Sequence, residues 1–287
     1  QRGAVIGAVA TVGVIVGADI PMFLGAMIIG PLAAWILKKI DDVLDPITPT
    51  GFEMLIGNFS LGIAGMLIAM GGYVGIGPAV KALSDTLGAG VQVLIDTGLL
   101  PLASLLVEPA KILFLNNAIN HGVLAPLGVI QAEETGKSIL FMLETNPGPG
   151  LGILVAFWLA GPKLLRGSAP GAIVIHFLGG IHEIYFPYVL MKPQLLAAVI
   201  LGGATGVATF AATGVGLAAT PSPGSIFAYL AVTPPGNHVG VLLGILLSAT
   251  VSFLVAWVLL RASKDSTAED LAEAQAKSKA MKTGNTE

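Results

Sequence analysis

Long apolar stretches, broken by short polar or Gly/Pro-rich clusters, dominate the first 260 residues of the chain. A helix that crosses a bilayer needs roughly 20 mainly apolar residues. The stretches that meet this requirement are 4–37, 52–80, 88–107, 110–130, 139–160, 171–190, 195–219 and 239–260. The pattern therefore predicts an all-α membrane protein, a multi-span helical bundle. The apolar piece 226–233 is too short to cross.

Several of these stretches are interrupted, which predicts broken or re-entrant helices. Asp19-Ile20-Pro21 divides the first stretch, so that it contains two elements or one broken helix. Gly/Pro-rich clusters at 146–150, 221–225 and 234–236 indicate either tight turns at the membrane surface or discontinuous helices. Non-helical backbone is tolerated at membrane depth only where protein or water covers it. Both interpretations stay open for the first two clusters.

Composition and charge placement support a membrane domain with a polar tail. Charged residues make up 11% of the chain, hydrophobic residues 54%, and the mean hydropathy is +0.86. Ten of the acidic and basic residues lie between Arg261 and Glu287. We therefore predict a membrane-embedded domain at 1–260 and a linker or tail at 261–287. Arg261 and Lys264 directly follow the last span, which predicts that the tail is cytoplasmic.

Other sequence signals exclude several classes of function. The chain has no cysteine, so it contains no disulfide, thiolate metal site or cysteine nucleophile. It has no Walker-type loop, His-Glu-x-x-His motif or nucleophile elbow, and we expect no cofactor and no metal. The net charge of −3 gives no reason to expect a nucleic-acid partner. Gln1-Arg2-Gly3 runs directly into an apolar segment that does not resemble a signal peptide, and we expect the domain to be truncated at its N-terminus.

Glu183 is the strongest candidate for a functional residue, because an ionisable group in an apolar segment is costly. It follows His182 in an aromatic-rich stretch at 179–188 that begins with two glycines. Glycine lets a ligand approach the backbone, and Pro187 is predicted to interrupt a helix. A carboxylate accepts hydroxyl hydrogen bonds, and aromatic rings pack on the C–H faces of sugars. The alternative is a structural ion pair between Glu183 and a buried cation.

A second polar group lies in the stretch 116–122. Asn117 and His121 are four residues apart and share one face of a helix, while Asn116 and Asn120 form the neighbouring row. Amides and imidazole both donate and accept, which suits a polyol with many hydroxyl groups. The alternative is hydrogen bonding between membrane helices.

Five further ionisable residues have simpler interpretations. Glu108 and Lys111 are three residues apart and are predicted to pair with each other. Asp19 either caps a broken helix or lines the transport pathway. His176 is predicted to be structural, and His238, in a Gly/Pro-rich loop, to be solvated.

The segments that carry these residues resemble the mannitol-type enzyme IIC family of the bacterial phosphotransferase system. The matching stretches are 16–25, 107–111, 116–122, 146–150 and 179–190. The last stretch contains the Gly-Ile-x-Glu signature as Gly180-Ile181-His182-Glu183. The resemblance covers about residues 1–260, and the tail resembles the linker that joins IIC to a cytoplasmic IIB domain.

The resemblance implies a homodimeric permease of the bacterial inner membrane. It implies that a moving transport domain carries a hexitol across the bilayer and releases it as hexitol 1-phosphate. Glu183 would be the catalytic residue that contacts hydroxyl groups near the phosphorylated carbon, and His121 a further site residue. The phosphoryl donor would be a phosphocysteine on IIB, so the chain alone would bind and move the sugar.

Two other functions remain open from the sequence. An ion- or proton-coupled polyol transporter would use Glu183 and His121 as a proton relay. A fragment without its own function is the third interpretation. The residue pattern does not separate mannitol from a close hexitol, because stereoisomers differ only in which hydroxyl groups meet which side chains.

Overall fold

A computed structural model describes residues 2–17 and 22–262, and the predicted all-α architecture is confirmed. The α-helices are α1 (Arg2–Val16), α2 (Phe23–Leu44), α3 (Glu53–Gly71), α4 (Gly77–Asp96), α5 (Ser104–Ile112), α6 (Asn116–Ile119), α7 (Ala125–Thr135), α8 (Gly148–Ala160), α9 (Lys163–Arg166), α10 (Ala169–Ile173), α11 (Phe186–Leu190), α12 (Leu196–Thr213), α13 (Ile226–Ala231) and α14 (His238–Ala262). Within these described ranges β-pairing is limited to one isolated bridge between Ser138 and Leu217.

Three helical runs within residues 2–17 and 22–262 are long and apolar enough to cross a membrane. They are Glu53–Asp96, Pro193–Thr213 and His238–Ala262. Other apolar helices are shorter: Arg2–Val16, Gly148–Ala160 and Ala169–Leu178. The bundle thus combines full spans with broken helices, as the sequence predicts.

The predicted division between 52–80 and 88–107 is wrong. One helical run continues from Glu53 to Asp96 and includes a π-helical turn at Gly72–Ile76. The polar residues near the predicted gap are satisfied within the helix. Lys81 Nζ lies 3.1 Å from Asp85 Oδ2, and Ser84 Oγ donates to the Val80 carbonyl at 2.9 Å. Polar spacing of three or four residues is compatible with a helix, so it does not end one.

The predicted break in the first stretch is confirmed, because α1 ends at Val16 and α2 begins at Phe23. Asp19 lies outside the described residues, so its two proposed roles stay predictions.

By internal contacts the chain forms two units, and the first comprises Gln1–Gly90 and Leu113–Gly122. In it, α1 packs on α2 and α3 through glycines that let backbones approach closely. A Cβ atom at Gly7 would lie 3.1 Å from the Gly30 carbonyl oxygen. The Arg2 guanidinium on α1 links the three helices by hydrogen bonds. It donates to Asp41 Oδ2 on α2 at 2.9 Å and to the Gly57 carbonyl on α3 at 2.7 Å.

The second unit comprises Val91–Ile112 and Val123–Glu287, and α8, α12 and α14 form its centre. Small residues line their contacts: a Cβ atom at Gly202 would lie 2.7 Å from Ser252 Cβ. Ser252 Oγ donates to the Pro149 carbonyl at 2.8 Å. Close backbone contact supported by interhelical hydrogen bonds is the usual way that membrane helices associate.

The first Gly/Pro cluster lies inside the second unit. Residues 140–150 are all buried, although 143–147 are not α-helical. Asn146 Oδ1 accepts from the Gly148 amide at 2.9 Å, and Thr145 Oγ1 is hydrogen-bonded to the Tyr229 hydroxyl at 2.7 Å. Protein therefore covers this turn, which supports the discontinuous-helix interpretation. The cluster at 221–225 is only partly buried, and 234–236 is a largely exposed turn.

We expect Gly152→Ala to destabilise the second unit by about 1–3 kcal/mol, the usual cost of overpacking. The added Cβ would lie 2.5 Å from the Ala249 carbonyl oxygen, which belongs to the backbone of α14 and cannot rotate away. Gly171→Ala is the matched control, because a Cβ at this position in α10 meets no atom within 4 Å. Thermal unfolding of both purified variants measures the effect, and equal midpoints would contradict the packing described above.

Candidate functional site

The turn that carries Glu183 is positioned by a glycine with unusual backbone geometry. Gly180 has φ of +77°, a conformation that side-chain-bearing residues rarely adopt. A Cβ atom at this position would also lie 2.5 Å from the Ser225 nitrogen. Gly180 therefore lets the chain turn sharply beside the 221–225 segment and enter the short 3₁₀ helix His182–Tyr185.

This short helix separates buried side chains from an accessible carboxylate. His182 and Tyr185 are buried, whereas Glu183 is half-buried. His182 Nε2 donates to the Gly224 carbonyl at 3.1 Å. Within the described ranges Glu183 makes no ion pair and no hydrogen bond. The alternative of a structural pair with a cation thus finds no support there, and the substrate-binding role stays a prediction.

The prediction that Pro187 interrupts a helix is wrong. Pro187 lies in the first turn of α11, which begins at Phe186. The fixed φ of proline suits the first turn of a helix, where its missing N–H would have no partner. Pro187 therefore starts a helix after the Glu183 turn.

Glu108 and Lys111 form the predicted ion pair, and both side chains are completely buried. Lys111 Nζ lies 3.3 Å from Glu108 Oε2 and donates to Oε1 at 3.4 Å. The ammonium group is also 6.0 Å from the centroid of the Tyr185 ring. A Cβ atom at Gly203 would lie 2.7 Å from Glu108 Oε1, so the backbone of α12 closes one side of the pair. A buried ion pair is costly to desolvate, which makes this centre unusual in an apolar bundle.

His176 extends this polar centre and is buried, in agreement with its predicted structural role. Its Nε2 donates to the Pro147 carbonyl at 2.8 Å. Its ring centroid lies 4.6 Å from that of His182 and 5.2 Å from that of Tyr185. His176 thus ties the buried turn before α8 to the turn that carries Glu183.

The sequence reasoning missed Glu144. This residue is only 7% exposed and interacts electrostatically with Glu108 and Tyr185. The signal was available, because Glu144 is an acidic residue inside the otherwise apolar stretch 139–160.

The polar stretch near His121 belongs to the first unit. Asn116 and Asn120 are buried, Asn117 is half-buried and His121 is exposed, so the two rows differ in burial. Asn120 begins a π-helical turn, Asn120–Leu124, and such turns are frequent at functional sites. His238, predicted to be a solvated loop residue, is half-buried and begins α14.

The predicted site residues are divided between the two units. His182 and Glu183 are adjacent in the second unit, and Asn117, Asn120 and His121 belong to the first. Among the described residues there is no cluster of three or more side chains that could hold a metal ion.

Comparisons with known proteins identify close relatives. The family model described as "Phosphotransferase system, EIIC" matches residues 5–203. The mannitol-specific EIICB component of Geobacillus stearothermophilus is 59% identical over 281 residues, covering 98% of this chain and 59% of that protein. The corresponding EIICBA component of Escherichia coli K12 is 54% identical over 282 residues, covering 98% of this chain and 44% of that protein.

The match extends over nearly all of this chain but only part of each relative. The mannitol-specific EIICB component of Bacillus subtilis is 56% identical over 282 residues, which cover 98% of this chain and 59% of the relative. The chain thus spans about three fifths or less of these proteins. No solved structure matches the chain. Because the family model covers more than half of the sequence, the chain belongs to the EIIC family of the phosphotransferase system.

Proposed function

We propose that the chain is the hexitol-binding and translocating part of a mannitol-type phosphotransferase permease in the bacterial inner membrane. The relatives are mannitol-specific phosphotransferase components, which favours this function over an ion-coupled secondary transporter. The observation that carries the proposal is Glu183, a half-buried carboxylate in a glycine-dependent turn that makes no ion pair or hydrogen bond with residues 2–17 and 22–262.

Such a carboxylate suits a polyol. Each of its oxygens accepts hydroxyl hydrogen bonds, and bonds to a charged acceptor are roughly twice as strong as neutral ones. His182 lies next to it and is held by the Gly224 carbonyl. Asn117, Asn120 and His121 are proposed to supply further donors and acceptors to the substrate. Mannitol is the proposed substrate because the relatives are named for it.

The phosphoryl transfer requires a second domain. This chain contains no cysteine, so the proposed donor is a phosphocysteine of a IIB domain. The hexitol hydroxyl oxygen attacks phosphorus, the S–P bond breaks, and the cysteine leaves as a thiolate. Glu183 orients the attacking oxygen and accepts its proton, which is the role of a general base.

The proposed surroundings of the chain are a lipid bilayer, a second copy in a homodimer and a cytoplasmic tail at 261–287. Arg261 supports an interfacial position for the end of α14, because its guanidinium carbon lies 4.1 Å from the Trp257 ring centroid. Tryptophan and basic residues both concentrate where a span meets water. Residues 263–287 lie outside the described part of the chain.

We expect His121→Ala to weaken hexitol binding by about 1–3 kcal/mol, the cost of losing one hydrogen bond that the bound hexitol would bury. The measurement is equilibrium binding of labelled mannitol to membranes that contain the permease. His238→Ala is the matched control, because this histidine begins α14 and is not proposed to bind substrate. Unchanged affinity in His121→Ala would remove His121 from the site, whereas no mannitol binding by the parent protein would contradict the proposed function itself.

A further inference from the structure

Three buried polar atoms in the second unit lack a hydrogen-bond partner in the described part of the chain. They are Glu108 Oε2, the Tyr185 hydroxyl and His176 Nδ1. All three residues have 0% of their surface exposed. Buried polar groups are nearly always hydrogen-bonded, because an unmade hydrogen bond leaves the full desolvation cost. Glu108 Oε2 is nevertheless ion-paired with Lys111, and His176 interacts with the backbones of both Pro147 and Ile181, so the Tyr185 hydroxyl is the atom that calls for a ligand.

The three residues belong to one cluster around Lys111. Glu108 Oε2 lies 3.3 Å from Lys111 Nζ, which is 6.0 Å from the Tyr185 ring centroid. The rings of Tyr185 and His176 are 5.2 Å apart. The ammonium group carries three N–H donors, and its one hydrogen bond within this cluster is the long contact with Glu108 Oε1. The cluster thus has spare donors as well as spare acceptors.

The mixture of donors and acceptors indicates the charge and the hydrogen-bonding chemistry that a ligand needs here. Glu108 Oε2 accepts, whereas His176 interacts with the Pro147 and Ile181 backbones and is not needed as an acceptor. Lys111 donates, and the Tyr185 hydroxyl does both. An anion would be repelled by Glu108 and a cation by Lys111. A neutral oxygen that donates and accepts satisfies both, which is the chemistry of a hydroxyl group.

We propose that Glu108, Lys111 and Tyr185 form a hydroxyl-binding site that takes either a water molecule or a hydroxyl group of the transported polyol. A buried water needs two to four polar partners, and this cluster offers them. The polyol occupant rests on the proposed function and is favoured by chain geometry, because Tyr185 ends the same short helix that carries Glu183. The water occupant does not depend on that function.

Tyr185→Phe tests the site because it removes the hydroxyl group and keeps the ring between His176 and Phe186. Tyr73→Phe is the control, since Tyr73 is 51% exposed and lies in the first unit. Two quantities are measured on the purified permease: the thermal unfolding midpoint without sugar, and the Kd for mannitol and its deoxy analogues.

The unfolding midpoint and the Kd together show whether the site exists and what occupies it. A lower unfolding midpoint of Tyr185→Phe with an unchanged Kd identifies a bound water, and so does loss of folded protein in Tyr185→Phe alone, for which no Kd is measured. An increase in Kd of about tenfold, the equivalent of one hydrogen bond, identifies a polyol hydroxyl. In that case one deoxy analogue binds the variant and the parent equally. If Tyr185→Phe has an unchanged or higher unfolding midpoint and an unchanged Kd, the hydroxyl group of Tyr185 has no partner. This result would contradict the proposed site. If the parent binds no hexitol, the proposed function fails while the midpoint still tests the water site.

Discussion

Replacing Glu183 by glutamine is expected to lower the rate of hexitol phosphorylation by about 10²–10⁴-fold, the usual contribution of a positioned general base. Glutamine keeps the size and one acceptor oxygen of Glu183 but removes its charge and its ability to take a proton. The carboxylate is half-buried and makes no ion pair with any described residue, so its charge remains available to the substrate. The measurement is phosphotransferase activity of the permease with purified phosphorylated IIB and labelled mannitol.

Two further variants distinguish an effect on the phosphotransfer reaction from an effect on folding. Glu183→Asp keeps the charge but shortens the reach by one methylene group, and such misplacement costs about a hundredfold. Glu133→Gln changes an exposed carboxylate on α7 and should leave activity unchanged. All variants should reach the membrane at near-normal levels. Parental rate and affinity in Glu183→Gln would show that the carboxylate is outside the site.

The second large effect is expected from Lys111→Met. Removing one member of a buried ion pair leaves an uncompensated charge and costs about 3–5 kcal/mol. Glu108 would then be buried with its only cationic partner among the described residues gone. The measurement is thermal or denaturant unfolding of the purified permease. Lys81→Met is the matched control, because Lys81 pairs with Asp85 on an exposed helix face, where ion pairs contribute little.

The double variant Glu108→Gln with Lys111→Met is expected to be more stable than Lys111→Met alone. It leaves no buried charge from either member, so we expect it to recover much of the stability lost in the single variant, as replacement of buried pairs often does. A single variant as stable as the parent would mean that water reaches Glu108. A double variant less stable than Lys111→Met would mean that Glu108 stabilises the fold even without Lys111, which would contradict an uncompensated buried charge as the cause of the loss.

Local spacing predicted those features that depend on a few neighbouring residues. The three-residue separation of Glu108 and Lys111 correctly predicted their pairing. The break around Asp19-Ile20-Pro21 correctly divided α1 from α2. The end predicted near residue 80 was wrong because Lys81 pairs with Asp85 along the same helix. Proline was misjudged at position 187 because the same residue type both ends and begins helices.

The buried polar centre could not be predicted from the sequence, because distant segments build it. His176 donates to the carbonyl of Pro147, and Thr145 meets Tyr229 across a separation of 84 residues. No periodicity within one helix encodes such contacts. The sequence singled out Glu183 and His182 through their local motif, whereas the candidacy of Tyr185 depends on its buried hydroxyl group and on the position of its ring near Lys111.

The most direct test of the proposed function follows labelled mannitol into vesicles that contain the permease. With purified phosphorylated IIB on the cytoplasmic side, the label should leave the membrane as mannitol phosphate, and product should be absent without IIB or with Glu183→Gln. Accumulation of unmodified mannitol driven by an ion gradient, independent of IIB, would contradict the account.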